Sequence, residues 1–189
     1  MKRIALIALL AVAACRTETA ELPGPVDMTE TTIGHFCQMN LLEHPGPKAQ
    51  VHLKDVMFPL FFSQVRDGIA YQRMPEQSHE IVTMYVSDMG VAPDWADPGA
   101  ANWIPADDAF YVVGSRLVGG MGAAEMVPFG NEDAAQAFVA LNGGEIRRLD
   151  QIATRDVLAP DAGLAAETDQ DDDPDYADRL RRLGTQGGP

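Results

Sequence analysis

The chain is 189 residues long, with 14 Lys and Arg against 28 Asp and Glu and a formal net charge of −14. That length is room for one ordinary domain or two small ones, and 46% apolar residues are enough for a core. The acidic balance excludes nucleic-acid binding, which needs a basic footprint to displace counterions, and disfavours attachment to anionic lipid through basic patches.

Lys2 and Arg3 precede an apolar run from Ile4 to Val12, and Val12-Ala13-Ala14-Cys15 follows. A membrane-spanning helix needs about 20 apolar residues. This run is shorter, so residues 1–14 read as a removable export signal. The Val-Ala-Ala-Cys ending resembles a bacterial lipobox, which implies cleavage before Cys15 and lipid attachment to its thiol. Of the two cysteines, Cys37 is then the one free thiol, in a compartment where disulfides are the norm. Such a thiol is either buried or kept for chemistry. Residues 16–30 are polar and carry Pro23 and Pro25, so 15–30 reads as a lipidated cysteine with a flexible tether. The folded part is expected to begin near Thr31.

Residues 49–54 alternate as a strand does. Asp55 precedes VMFPLFFSQVRDG, whose apolar pattern predicts a helix over 56–68 that stops at Gly68, with Pro59 in its first turn. Residues 81–86 and 109–113 are strands by β-branched and aromatic content, and 124–129 is a further short strand. Asn131 caps a helix over 132–142, with acids in its first turn and Gly143-Gly144 as its stop. Residues 145–149 close the series as a strand. The order strand, helix, strand recurs in 31–95 and 96–160. This predicts an α+β fold of two similar small ββαβ-like units packed together. Beyond Asp161 the composition shifts to Asp169, Asp171, Asp172, Asp173 and Asp175, and 161–189 reads as a disordered acidic tail.

The chain has no phosphate-binding glycine loop, no H-E-x-x-H, no C-x-x-C and no G-x-S-x-G. Its distinctive chemistry is sulfur. His35-Phe36-Cys37-Gln38-Met39 places an imidazole and a thioether two residues either side of the free thiol. In an extended segment, residues i, i+2 and i+4 share a face, which brings His35, Cys37 and Met39 towards one point. Thiolate with thioether is a soft ligand set that selects Cu(I). Of the other methionines, Met57, Met74 and Met84 sit in apolar contexts and read as core fillers. His44 and His79 lie in polar, proline-containing surroundings and read as exposed. His52 alternates with Val51 and Leu53 and reads as pointing away from the core.

The ordered set of motifs resembles the nitrous oxide reductase accessory protein (NosL) family. The matching pieces are the lipobox at Cys15, then His35-Phe36-Cys37-Gln38-Met39, Tyr85-Val86-Ser87-Asp88-Met89-Gly90, Asp94-Trp95, AFYVVGSRLVGGMG over 109–122, and Glu125-Met126-Val127-Pro128-Phe129. The resemblance spans about residues 31–150. It implies a membrane-anchored, periplasm-facing Cu(I) chaperone, without catalytic turnover, that delivers copper for the copper–sulfide centre of nitrous oxide reductase in denitrifying bacteria. The partners it implies are that enzyme and its membrane-bound maturation proteins, and it implies no nucleic acid. The membrane holding the anchor, inner or outer, is left open. The family's Cys-x-Met motif maps onto Cys37 and Met39, and its glycine-rich Met-Gly segment maps onto Met121. His35 is favoured as the third ligand by local geometry, with Met121 as the rival. Two other readings compete: a thiol enzyme with Cys37 as nucleophile and His35 as base, and a structural lipoprotein that binds a partner through Trp95, Trp103 or the acidic tail.

Overall fold

The computed structural model of the chain describes residues 22–158. The export signal, Cys15 and the acidic tail lie outside the described residues. Among the described residues no helix is long and apolar enough to cross a membrane.

The first sheet is built around β1 (Ala49–Leu53), buried along its whole length. Antiparallel neighbours flank it: β2 (Leu60–Phe62) on one edge and β3 (Ile81–Val86) on the other, with β4 (Ile104–Pro105) beyond β3. Helix α1 (Val65–Arg73) covers this sheet. Val65, Ile69 and Ala70 pack in one core with Ala49, Val51, Met84 and Val86.

The helix predicted over 56–68 is therefore a correction. Its first half is strand β2, with Leu60 opposite Val51 and Phe62 opposite Ala49. A short apolar run is compatible with either state. Here β1, a central strand, needs a partner for its second edge. Nor does Gly68 stop the helix. A Cβ there would lie 2.7 Å from the Cβ of Ala49, so glycine lets α1 settle onto β1 and continue to Arg73.

The second sheet has order β6-β5-β7, from β5 (Phe110–Val113), β6 (Val127–Phe129) and β7 (Glu145–Arg147), all antiparallel. Helix α2 (Glu132–Asn142) begins where predicted. The Asn131 side chain accepts from Ala134 N at 2.9 Å, and Gly143, at φ 72°, ends it. Successive side chains of β5 point to opposite faces, and both faces are covered. Val112 packs with Val127, Phe129 and Ala135 beneath α2. Tyr111 joins the core of the first sheet, together with Met126, Leu149, Ile152 and Val157. The last of these sits on α3 (Thr154–Leu158), which packs against α1. The expected α+β class with two small strand-and-helix units is what the structure has.

The segment Ser87-Asp88-Met89-Gly90 fastens the two units. Ser87 Oγ accepts from Lys48 N at 3.0 Å, and Asp88 Oδ1 accepts from Gly90 N (2.8 Å) and Gly130 N (2.9 Å), while Met89 N donates to Pro128 O (2.9 Å).

The tether expected up to residue 30 ends sooner. From Pro23 the chain is strapped along the first sheet. Tyr85 Oη donates to Pro23 O (2.7 Å), and the buried Gln50 amide pairs with both the N–H and the C=O of Val26 (2.8 and 3.0 Å). Met28 is buried and its N–H donates to Ala100 O at 3.0 Å. Composition marked this stretch as polar and proline-rich, but the Gln50 amide on β1 and the Tyr85 hydroxyl on β3 bind its backbone.

Candidate metal centre

His35 to Met39 is a tight turn rather than an extended strand. Gly34 N donates to Met39 O (3.0 Å), Gln38 N donates to Gly34 O (2.9 Å), and Gln38 itself takes φ 55°. The Gln38 side-chain amide closes the turn on His35 O at 2.6 Å. The turn is fixed to β2 by a bridge between Gly34 and Phe61 and by His35 N donating to Phe61 O at 2.6 Å. On its far side Asn40 donates to Glu30 O (2.7 Å) and accepts from Leu42 N (3.0 Å), and the fully buried Leu41 anchors the exit.

His35, Cys37 and Met39 are therefore not aligned by alternation, which requires an extended backbone. The His35 ring packs edge-on against Phe62 and Tyr71, each at 5.6 Å between centroids. Cys37 is half-buried and is the one free thiol among the described residues. Its Sγ lies over Gly34, where a Cβ would approach to 2.5 Å. Met39 shares the turn with Cys37 and is 42% exposed.

Met121 sits on a separate glycine loop, 44% exposed. That loop is closed by Gly119 N to Ala123 O (2.8 Å) and Gly122 N to Gly119 O (2.9 Å). Met121 N donates to the side-chain oxygen of Gln64 at 2.7 Å. Gly120 rides so close to residues 44 and 45 that a Cβ would meet His44 Cβ at 2.7 Å and Pro45 O at 2.9 Å. Thus the Cys37 turn hangs from Phe61 and the Met121 loop from Gln64, the two ends of one short stretch at the β2–α1 junction.

Two buried ionisable side chains lie beneath. Glu125 is fully enclosed. Its Oε1 accepts from Arg66 N (3.0 Å) and Met126 N (2.8 Å), while Oε2 has no partner among the described residues. The first contact caps α1 from the second unit, replacing the Gln64 side chain, which is spent on Met121. Burial pushes the Glu125 carboxyl up to about 8. Lys48, also fully buried, donates its Nζ to Pro45 O (3.1 Å) and to Gly46 O. Burial lowers it to about 8, opposed by the nearby charges of Glu125 and Cys37.

Sequence reasoning missed Gln64, Lys48 and Glu125, whose roles arise from contacts across 57 to 59 residues or from burial. It also placed His44 in solvent, whereas its Nε2 is buried with no partner among the described residues. Met57 is exposed rather than core, at 85%, while Met84 is core as expected. His52 is buried, bonded through Nε2 to the Gln50 side chain at 3.0 Å.

Fold and site together define a small α+β protein that presents one thiol and two exposed thioethers on loops hung from a single strand–helix junction. The chain belongs to the NosL family, whose model matches residues 25–157. It is 52% identical over 185 residues to a copper-binding lipoprotein NosL of Achromobacter cycloclastes, covering 96% of this chain and 93% of that one. A copper-binding lipoprotein NosL of Stutzerimonas stutzeri is 31% identical over 137 residues, covering 72% and 70%. The fold matches the crystal structure of the copper chaperone NosL from Shewanella denitrificans with a TM-score of 0.64 and 32% identity, covering 70% of this chain and 97% of that one.

Proposed function

We propose that this chain is a Cu(I)-binding metallochaperone, held to a bacterial membrane by lipid on Cys15 and facing the periplasm. It would deliver copper for assembly of the copper–sulfide centre of nitrous oxide reductase, with that enzyme and its membrane-bound maturation proteins as partners. The observation that carries this reading is the half-buried Cys37 thiol on a turn that also bears the exposed Met39 side chain. Among the described residues no three of His, Cys, Asp and Glu gather to hold a metal ion. The Met39 thioether on the same turn is a soft donor, which with a thiolate favours Cu(I) over harder ions. Family membership and the names of the copper-binding relatives support the same choice.

In this reading Cys37 binds as thiolate, exchanging its proton for the metal, and Met39 supplies the second sulfur. The third ligand is drawn from two exposed side chains: His35, two residues before Cys37 on the same turn, and Met121, on a loop tied to the same junction. Cu(I) has a filled d shell and accepts two or three ligands without a geometric penalty. A low-coordinate ion at the surface lets an incoming ligand from the acceptor bind before the donor lets go. This is binding and transfer, with no turnover of substrate.

The test is anaerobic Cu(I) titration against a competing chelator, in the wild type and in Cys37→Ala, followed by transfer to copper-free nitrous oxide reductase. Uptake near one ion per chain, abolished by the substitution and passed on to the enzyme, is the expected result. Equal affinity in Cys37→Ala would remove the site from this turn.

A further inference from the structure

The β1–β2 connection carries the adjacent apolar pair Met57, 85% exposed, and Phe58, 69% exposed. Nothing in copper binding uses it. Its position relative to the strap gives it a use.

The strap runs the length of the first sheet. Pro23, at its start, lines a groove of about 470 Å³ with Leu53, Val56, Met57 and Val82. Met28, towards its other end, lines a different cavity with His44 and Lys48. Lys48 immediately precedes β1, and Met57 follows its far end. The strap therefore enters the fold at the end where Met57 and Phe58 project and proceeds towards the end that holds the Cys37 turn. Leu22, just ahead of it, is also exposed, at 60%.

Only residues 16–22 separate Cys15 from Pro23. Eight peptide steps reach at most about 28 Å when fully extended. Whatever the conformation of that segment, a lipid on Cys15 keeps the Pro23 end of the domain beside the bilayer. The exposed Met57–Phe58 tip at that end is then within reach of the headgroup–acyl boundary, where aromatic and aliphatic side chains are favoured. The strongly acidic chain has little attraction to anionic lipid, so apolar insertion rather than charge is the available contact.

We propose that Met57 and Phe58 seat in the interfacial zone of the same phospholipid bilayer that holds the lipid of Cys15, so that the domain stands on this tip with the Cys37 turn at its membrane-distal end. The inference rests on the lipidation reading above. It adds that the domain has a fixed orientation, with the soft-ligand turn presented to soluble or membrane-protein partners above the surface.

The experiment uses full-length, lipid-modified protein in vesicles of phosphatidylcholine and phosphatidylethanolamine containing lipids brominated near the headgroup. Phe58→Trp and Met57→Trp are compared with Val91→Trp, an exposed position beyond the opposite end of β3. Emission of the unsubstituted protein, from Trp95 and Trp103, is subtracted. Mass spectrometry of the same samples reports the lipid on Cys15. Side chains seated about 5–10 Å into the interface are expected to show blue-shifted emission and strong quenching in both tip variants, with neither in Val91→Trp. Lipidated tip variants whose emission and quenching match those of Val91→Trp overturn the tip while leaving the anchor intact. Protein without lipid on Cys15 overturns the anchor, and the proposal with it. A blue shift without lipid that grows with protein concentration assigns the tip to a second copy and also overturns the proposal.

Discussion

The Sγ of Cys37 lies where a Cβ on Gly34 would come within 2.5 Å of it. The thiol packs over the bare backbone of Gly34, on a turn hung from Phe61. Gly34→Ala is expected to push the thiol aside at a cost of about 1–3 kcal/mol in stability. Cu(I) affinity should fall at least about tenfold, since ligand displacement of an ångström is costly at a metal site. Thermal unfolding and chelator competition measure the two effects separately. Unchanged affinity would mean that the thiol's position over Gly34 has no part in copper binding.

Gln64 ties the Met121 loop to the start of α1. Gln64→Leu preserves bulk but strands Met121 N, and should cost about 1–3 kcal/mol. In hydrogen exchange, the amide of Met121 should lose protection well before the amides of β1. If that amide exchanges as in the wild type, the loop is held by something other than Gln64.

Glu125 predicts a pH dependence with a definite sign. Below pH 4.5 its carboxyl is protonated in both the folded and the unfolded chain. Between 4.5 and about 8 the folded chain keeps the proton and the unfolded chain has lost it, so stability falls as pH rises through that window. Lys48, lowered from 10.5 to about 8, acts in the next window. There the unfolded chain binds more protons and stability rises with pH. Glu125→Gln should flatten the decline between about pH 5 and 8, read from urea unfolding at both values. Parallel curves for variant and wild type would show that Glu125 is already ionised in the fold.

The strap adds a fourth expectation. A soluble form that begins at residue 29 loses the buried Met28 and the paired contacts of Val26 with Gln50. It should be less stable than one beginning at residue 22 by at least about 2 kcal/mol. Denaturant unfolding of the two forms decides this, and equal midpoints would restore residues 22–28 to the tether.

Much of the fold was legible because its signals are local. Strand β3 announces itself through Ile81, Val82, Thr83, Tyr85 and Val86. Helix α2 is delimited by a side-chain cap at Asn131 and a left-handed glycine at Gly143, each acting within one turn. Cys37 and Met39 stood out in the sequence by their spacing, and the structure sets them on one turn.

The remainder depended on what folding brought together. An apolar run over 56–62 is equally consistent with helix and strand until the exposed edge of β1 claims residues 60–62. The polar, proline-containing stretch from Pro23 to Met28 becomes part of the domain only because Gln50 and Tyr85 lie beside it. Period-two alternation predicted an extended segment over His35, Cys37 and Met39, but the backbone there is a turn closed by Gly34 and Gln38, and the imidazole packs edge-on against Phe62 and Tyr71. The sequence by itself determined the elements whose hydrogen bonds close within a few residues. Tertiary structure decided which loops share a junction and which charges are buried, because those properties belong to contacts between distant segments and to exclusion of water.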